Sequence, residues 1–103
     1  MRVFVDYQGW PVRLTDERML HILQHREMVE LENEIPNVLA QPKFVKRSKT
    51  DASVQLYYRY CDNTEVGSKW LCVVVKFLPE DAFVITAYLT DKPKQGEQIW
   101  PNL

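Results

Sequence analysis

The first residues of the chain alternate between polar and apolar positions. Arg2 to Tyr7 has the period of two that is typical of a short strand. Gln8-Gly9 supplies a turn, and Pro11 to Leu14 is predicted to return as an edge strand, where proline is tolerated. The chain therefore begins with a predicted short hairpin.

Helical spacing replaces this alternation after Thr15. Thr15 is a good N-cap residue, and two acidic residues follow it, so a helix is predicted from Asp16 to about Arg26. Met28 to Leu39 also has apolar residues at helical spacing, but Pro36 interrupts it. Because proline suits the first turn of a helix, a new start near Glu34 is more consistent with the pattern than one long helix.

Beyond Pro42 the apolar period returns to two. Strands are predicted at Lys43–Ser48, Val54–Tyr60, Trp70–Phe77 and Phe83–Thr90. Trp70–Phe77 is apolar on nearly every residue, which favours a central position. Short connections between these strands predict an antiparallel meander.

The last predicted strand divides its side chains between a core face and an outer face. The core face is predicted to carry Phe83, Ile85, Ala87 and Leu89, and the outer face Val84, Thr86, Tyr88 and Thr90. Trp100 is predicted to dock the polar tail, Lys92–Leu103, onto the body.

These elements predict one α+β domain over residues 1–103: a short N-terminal hairpin, one or two helices, then a curved antiparallel sheet of about four strands. The N-terminus lacks the apolar stretch of a signal peptide, and no apolar run is long enough to span a membrane, so we expect a cytoplasmic protein with no membrane partner. In that compartment Cys61 and Cys72 are expected to be free thiols, and we expect no metal site or cofactor.

The net charge of −1 is unevenly distributed, with −3 over residues 1–40 and +2 over residues 41–103. Tight sequence-independent nucleic-acid binders usually have a much larger basic excess. Any nucleic-acid contact is therefore expected to use a local patch.

His21 and His25 lie four residues apart, so they are neighbours on the polar side of the predicted helix. Three interpretations remain open: plain surface residues, a general acid/base pair, or metal ligands. The metalloprotease motif would require glutamate after the first histidine, where this chain has Ile22.

Two further groups are candidates for contact with RNA. The first is the row of Thr86, Tyr88 and Thr90 on one strand face, together with the Tyr57–Tyr60 cluster, which includes Arg59. Tyrosine rings stack on bases, and hydroxyl and guanidinium groups hold phosphates or the 2′-OH. An ordinary outer strand face explains these residues equally well. Basic residues follow the helices and are more often solvated loop or strand-edge residues: Lys43, Lys46, Arg47, Lys49, Arg59, Lys76, Lys92 and Lys94.

Taken in order, these segments resemble a known family. The pattern consists of Thr15-Asp16-Glu17-Arg18, His21-Ile22, His25-x-Glu27, Ile35, Val38, Gln41-Pro42, Val45, Ser48, Tyr57-Tyr58-Arg59, Leu71–Lys76, Val84–Tyr88 and Ile99-Trp100. It resembles the phage-associated branch of the barnase–EndoU–colicin–RelE-like (BECR fold) nuclease superfamily, over about residues 13 to 100. Where that family often has His-Pro-Glu, this chain has His25-Arg26-Glu27.

The resemblance implies metal-independent RNA cleavage on the concave face of a curved sheet, and a small antitoxin-like protein as a partner. His21, His25, Tyr58 and Thr86 would be the catalytic residues. Lys46, Arg47, Arg59, Lys76 and Tyr88 are the expected contacts to RNA and its phosphates. Histidine acid/base chemistry suits such cleavage. The alternative is a non-catalytic domain of the same fold that binds RNA or a partner protein; the alternating pattern puts Tyr58 and Arg59 on opposite faces, which favours this alternative.

Overall fold

Seven strands and three short helical segments form the protein, for which we describe a computed structural model over residues 1–102. The strands are β1 (Arg2–Val5), β2 (Pro11–Leu14), β3 (Phe44–Ser48), β4 (Val54–Thr64), β5 (Gly67–Leu78), β6 (Asp81–Thr90) and β7 (Gly96–Trp100). The helices are α1 (Asp16–Leu23), a 3-10 helix (Arg26–Glu34) and α2 (Ile35–Ala40).

All seven strands join one sheet in the order β1-β2-β6-β5-β4-β3-β7. Strands β3 to β6 form the predicted antiparallel meander, with β5 central. The predicted N-terminal hairpin is formed by β1 and β2, which pair antiparallel. It joins the meander through the parallel pairing of β2 with β6. The α+β class is confirmed, but the expected count of about four strands was too low, since the hairpin and β7 extend the meander at its two ends.

The first helix is shorter than predicted, and the second predicted helical stretch is only partly α-helical. The Thr15 cap is confirmed, because the Arg18 backbone N–H donates to Thr15 Oγ1 over 3.2 Å. However, α1 ends at Leu23 rather than Arg26, because His25 adopts an extended backbone (φ −82°, ψ 113°). A 3-10 helix that ends at Glu34 replaces the first part of the predicted second helix. The predicted new start near Glu34 is confirmed, since α2 begins at Ile35 and has Pro36 in its first turn.

The helices cover one face of the sheet, which we call the inner face. The main core lies between them and includes Met19, Ile22, Met28, Ile35, Leu39, Tyr57, Val73 and Ala87. The sheet curls toward this side: the ring of Tyr7, after β1, lies 4.8 Å from that of Trp100 in β7. This contact confirms the docking of Trp100; Leu103, the end of the predicted tail, lies outside the described residues. The concave face is thus filled by packed side chains.

The opposite, convex face, which we call the outer face, has no helix packed on its central cluster in the described chain. Its buried residues come only from β4 and β5: Val54, Leu56, Tyr58, Cys72 and Val74. Phe44, Trp70, Ile85 and Tyr88 pack around them and remain partly exposed. The outer face is therefore an apolar, partly open surface.

One part of the predicted alternation in β6 is wrong. Ala87 and Leu89 pack in the main core and Thr86 lies on the outer face, as predicted, but Val84 is buried in the core and Ile85 packs on the outer cluster. The register with β5 shifts between Val74 and Val75, so a β-bulge inserts one residue. An inserted residue exchanges the faces of the side chains before it. Phe83, which precedes the bulge, accordingly lies beside Arg13 rather than in the core.

Candidate functional site

The two histidines lie on the solvent side of the helical layer. Because α1 directs Met19 and Ile22 into the core, His21 is exposed, and the His25 side chain, which follows the helix, is 61% exposed. His25 Nδ1 lies 4.0 Å from Glu27 Oε1. Both imidazoles therefore face water on the helix-covered side of the molecule.

Tyr58 and Thr86 lie on the other side. Tyr58 faces Cys72 across β4–β5 and Thr86 faces Val74 across β5–β6, both on the outer face. The sheet and the helical layer separate these residues from the histidines. The structure therefore does not bring the four predicted catalytic residues into one site.

Tyr58 is fully buried and supports the structure around it. Its hydroxyl accepts a hydrogen bond from the Lys94 backbone N–H over 3.0 Å, which fixes the segment between β6 and β7 against the outer face. Burial raises its pKa, as does the neighbouring Cys72. Tyr58 thus positions Lys94 rather than presenting a hydroxyl to a ligand.

Two predicted phosphate ligands lie away from the outer face. Arg59 faces the inner side, and its Nη1 donates to the Gln41 carbonyl over 2.6 Å. Arg47 Nη1 donates to Glu97 Oε1 over 2.5 Å. Both guanidinium groups already have acceptors, so neither joins the outer-face residues.

Lys76 is on the outer face but is neutralised there. The Lys76 Nζ lies 2.8 Å from Asp51 Oδ2. The hydrogen bond from Lys76 is the main reason why the pKa of Asp51 lies well below its usual range, and hydrogen bonds from Ser53 add to this effect. Lys76 thus contributes little net positive charge to this face.

A groove of about 320 Å³ opens on the outer face beside this ion pair. Its apolar floor is formed by Val54, Leu56 and Val74. Its polar rim is formed by Ser48, Lys49, Thr50, Thr86, Tyr88, Lys94 and Gln95. Threonine and serine hydroxyls and two lysines therefore border it, and no carboxylate lines it.

The two lysines that line the groove, Lys49 and Lys94, and the adjacent Lys46 give this part of the outer face a positive charge. Lys46 Nζ donates to the Lys94 carbonyl over 3.2 Å, and Lys49 Nζ donates to Gln95 Oε1 over 3.2 Å. Lys94 Nζ lies 5.5 Å from the centre of the Tyr88 ring. Within residues 1–102 none of these ammonium groups forms an ion pair with a carboxylate, so their charges are available to an anion.

Tyr88 lies on the rim of the groove and packs against the buried outer cluster, which also supplies the groove floor. Its hydroxyl is shielded from solvent and makes no hydrogen bond of good geometry with the described residues, although Tyr58 and Cys72 are its neighbours. Burial raises the pKa of Tyr88, and it raises that of the Cys72 thiol to about 11. Burial therefore disfavours ionisation of both groups.

An aromatic row, formed by Tyr60, Trp70 and Phe44, continues the outer face beyond the groove. The Tyr60 and Trp70 rings are 5.1 Å apart and close to perpendicular, and Phe44 lies 5.1 Å from Trp70. Neither Trp70 nor Phe44 was predicted from the sequence as a site residue. Only the register of β3, β4 and β5 brings the three rings together.

In residues 1–102 no three side chains among histidine, cysteine, aspartate and glutamate are grouped so that they could hold a metal ion. None of the helices within this range has the length and apolar character needed to cross a membrane. Both cysteines are free thiols. Comparisons of the chain with protein-family models, with curated proteins and with solved structures found no match.

Proposed function

We propose that this domain binds RNA through the outer-face groove and does not cleave it. The observation that supports this most directly is a set of three lysines at an apolar groove with no carboxylate in its lining: Lys49 and Lys94 line the groove, and Lys46 is hydrogen-bonded to Lys94 beside it. Phosphate contacts by lysine and arginine supply most of the affinity of sequence-independent nucleic-acid binding. The positive charge balance of residues 41–103 is thus concentrated locally in these lysines.

The hydroxyl groups on the rim suit RNA in particular. Ser48, Thr50 and Thr86 surround the groove, and hydroxyls donate to phosphate oxygens and exchange hydrogen bonds with the ribose 2′-OH. The apolar floor accommodates the less polar faces of bases or sugars. The same groove therefore offers partners to each part of a ribonucleotide.

The positions of the histidines argue against cleavage at this groove. A general acid and a general base must both lie within hydrogen-bond reach of the same ribose and phosphate. His21 and His25 are on the helix-covered side, and no histidine lines the groove. The ribonuclease function that the resemblance implies is therefore supported by the resemblance alone, and binding is the function that the geometry supports.

The test is RNA binding by a charge-neutralised variant. We expect Lys46→Gln/Lys49→Gln/Lys94→Gln to lose most affinity for an oligouridine of about twelve nucleotides, measured by fluorescence anisotropy. If each lysine contacts one phosphate, log K of the unmodified protein falls with log salt with a slope of about −2, and the variant slope approaches zero.

The matched control removes the same charge from the helix side. The control variant is Arg2→Gln/Arg18→Gln/Arg26→Gln. Arg2 pairs with Glu32 and Arg26 pairs with Glu65, both away from the groove, so these substitutions leave the groove unchanged. We expect this control to retain the salt slope and most of the affinity. Equal losses in the two variants would refute binding at the groove.

A further inference from the structure

The aromatic row lies next to the groove on one continuous surface. On β5, Trp70 and Val74 both face outward, and they are four residues apart, which corresponds to about 13 Å along a strand. Tyr60 faces Trp70 across β4–β5. A ligand anchored in the groove therefore needs only a short extension to reach these rings.

Tyr60 is the accessible member of the row. It is 50% exposed, whereas Tyr58, two residues before it, is fully buried. The difference has a structural cause: β3 begins at Phe44, which pairs with Tyr58, so no β3 residue covers β4 beyond that point. The Tyr60 ring is thus open to solvent while Trp70 fixes its orientation.

We propose that Tyr60 stacks on an unpaired base, so that the ligand of the outer face is single-stranded RNA; this inference rests on the proposed function. Tyrosine rings bind bases through their π-faces irrespective of sequence. In a duplex the faces of the bases are already stacked and are inaccessible to a protein ring. The combination of a cationic groove with an adjacent exposed ring is therefore selective for a single strand.

A cross-strand aromatic pair also stabilises a sheet without any ligand. The experiment separates this role from stacking by comparing Tyr60→Phe, Tyr60→Leu and Tyr60→Ala. Phenylalanine keeps the planar ring, whereas leucine keeps apolar bulk without a ring. Circular dichroism and urea unfolding show whether each variant is folded.

The probe is the same oligouridine, with an RNA hairpin duplex of equal phosphate number as the comparison. We expect Tyr60→Leu and Tyr60→Ala to weaken oligouridine binding by about 5- to 150-fold, the range for loss of one stacked base. Tyr60→Phe is expected to bind within about twofold of the unmodified protein. Val66→Ala, which alters another exposed apolar side chain of the same hairpin, is the control and is expected to have no effect.

Two results would overturn the stacking proposal. The first is that Tyr60→Leu binds oligouridine as tightly as the unmodified protein does. The second is that the unmodified protein binds the duplex and the single strand with equal affinity. If either occurs while the triple lysine variant still loses binding, only stacking by Tyr60 is refuted. If the unmodified protein binds neither RNA, the proposed function fails as well.

Discussion

The Tyr57 hydroxyl donates a hydrogen bond to Asp6 Oδ2 over 2.8 Å, and both residues are buried. The other carboxylate oxygen of Asp6 accepts from the backbone N–H groups of Gln8 and Trp10, each over 2.9 Å. This one carboxylate therefore fixes the β1–β2 turn and ties it to β4 across the concave side of the sheet. Asp6 and Tyr57 serve the fold on the inner side, as Tyr58 does on the outer side through its hydrogen bond with the Lys94 backbone.

Tyr57→Phe tests this structural role. Removing the hydroxyl leaves a buried carboxylate oxygen without its partner, which costs about 1–3 kcal/mol in the free energy of unfolding. Urea denaturation followed by circular dichroism measures the change. Tyr60→Phe alters an exposed hydroxyl and is expected to change stability by less than about 0.5 kcal/mol; an equal loss in both variants would contradict the role of Asp6.

The Asp51–Lys76 pair predicts a dependence of stability on pH. The pKa of Asp51 is lowered in the folded protein, chiefly by its hydrogen bond with Lys76, so it lies below the unfolded value of about 3.9. Stabilisation by the pair is therefore present above the unfolded pKa and is lost as the pH falls through the folded pKa.

We expect Asp51→Asn to reduce the dependence of unfolding free energy on pH below about pH 4. Urea midpoints measured from neutral pH down to about pH 3 provide the comparison. Lys76→Met, which removes the partner while retaining the carboxylate, is expected to reduce the acid dependence in the same way. Unchanged acid profiles in both variants would show that the pair does not form in solution.

The two thiols are predicted to differ in reactivity. Cys72 is fully buried and its pKa is raised by burial to about 11, so little thiolate is present at neutral pH. Cys61 is only partly buried, and its pKa is raised first by burial and then by the Glu34 carboxylate. A chromogenic disulfide reagent should modify Cys61 slowly in the native protein and Cys72 only after unfolding. Rapid native modification of Cys72 would contradict the packing of the outer cluster.

The histidines provide the prediction that separates binding from cleavage. Because both imidazoles are exposed, His21→Ala/His25→Ala is expected to change stability by less than about 1 kcal/mol and to leave RNA affinity unchanged. The unmodified protein, incubated with RNA with or without chelator, is expected to leave it intact on denaturing gels. Cleavage that disappears in the double variant would instead support the ribonuclease function.

Much of the fold follows from local patterns. Thr15 marks the start of α1 and Pro36 marks α2. Period-two alternation, or a nearly continuous apolar run in the case of Trp70–Phe77, identified the four meander strands. Each of these signals depends on neighbours in sequence. Pairing of β2 with β6 and of β7 with β3 depends on long-range contacts that alternation does not encode. The bulge at Ile85 is equally invisible in a pattern of apolar residues, and it reversed the predicted faces of that residue and Val84.

The candidate site was predictable only in part. Placing Thr86 and Tyr88 on the outer face required only the alternation of β6. The helical wheel put His21 on the polar side of α1, but it did not show which side of the sheet the helix covers. Lys46 and Lys94 are far apart in sequence, and their meeting at one groove depends on the register of β7 with β3.

The most direct test is a titration of the isotope-labelled protein with oligouridine, followed by ¹H–¹⁵N NMR. Binding at the groove predicts that amide signals of Lys49, Thr86 and Lys94 shift progressively with RNA while those of His21 and His25 stay in place. Shifts confined to the histidines and the surrounding helix, with the signals of the groove unmoved, would contradict it.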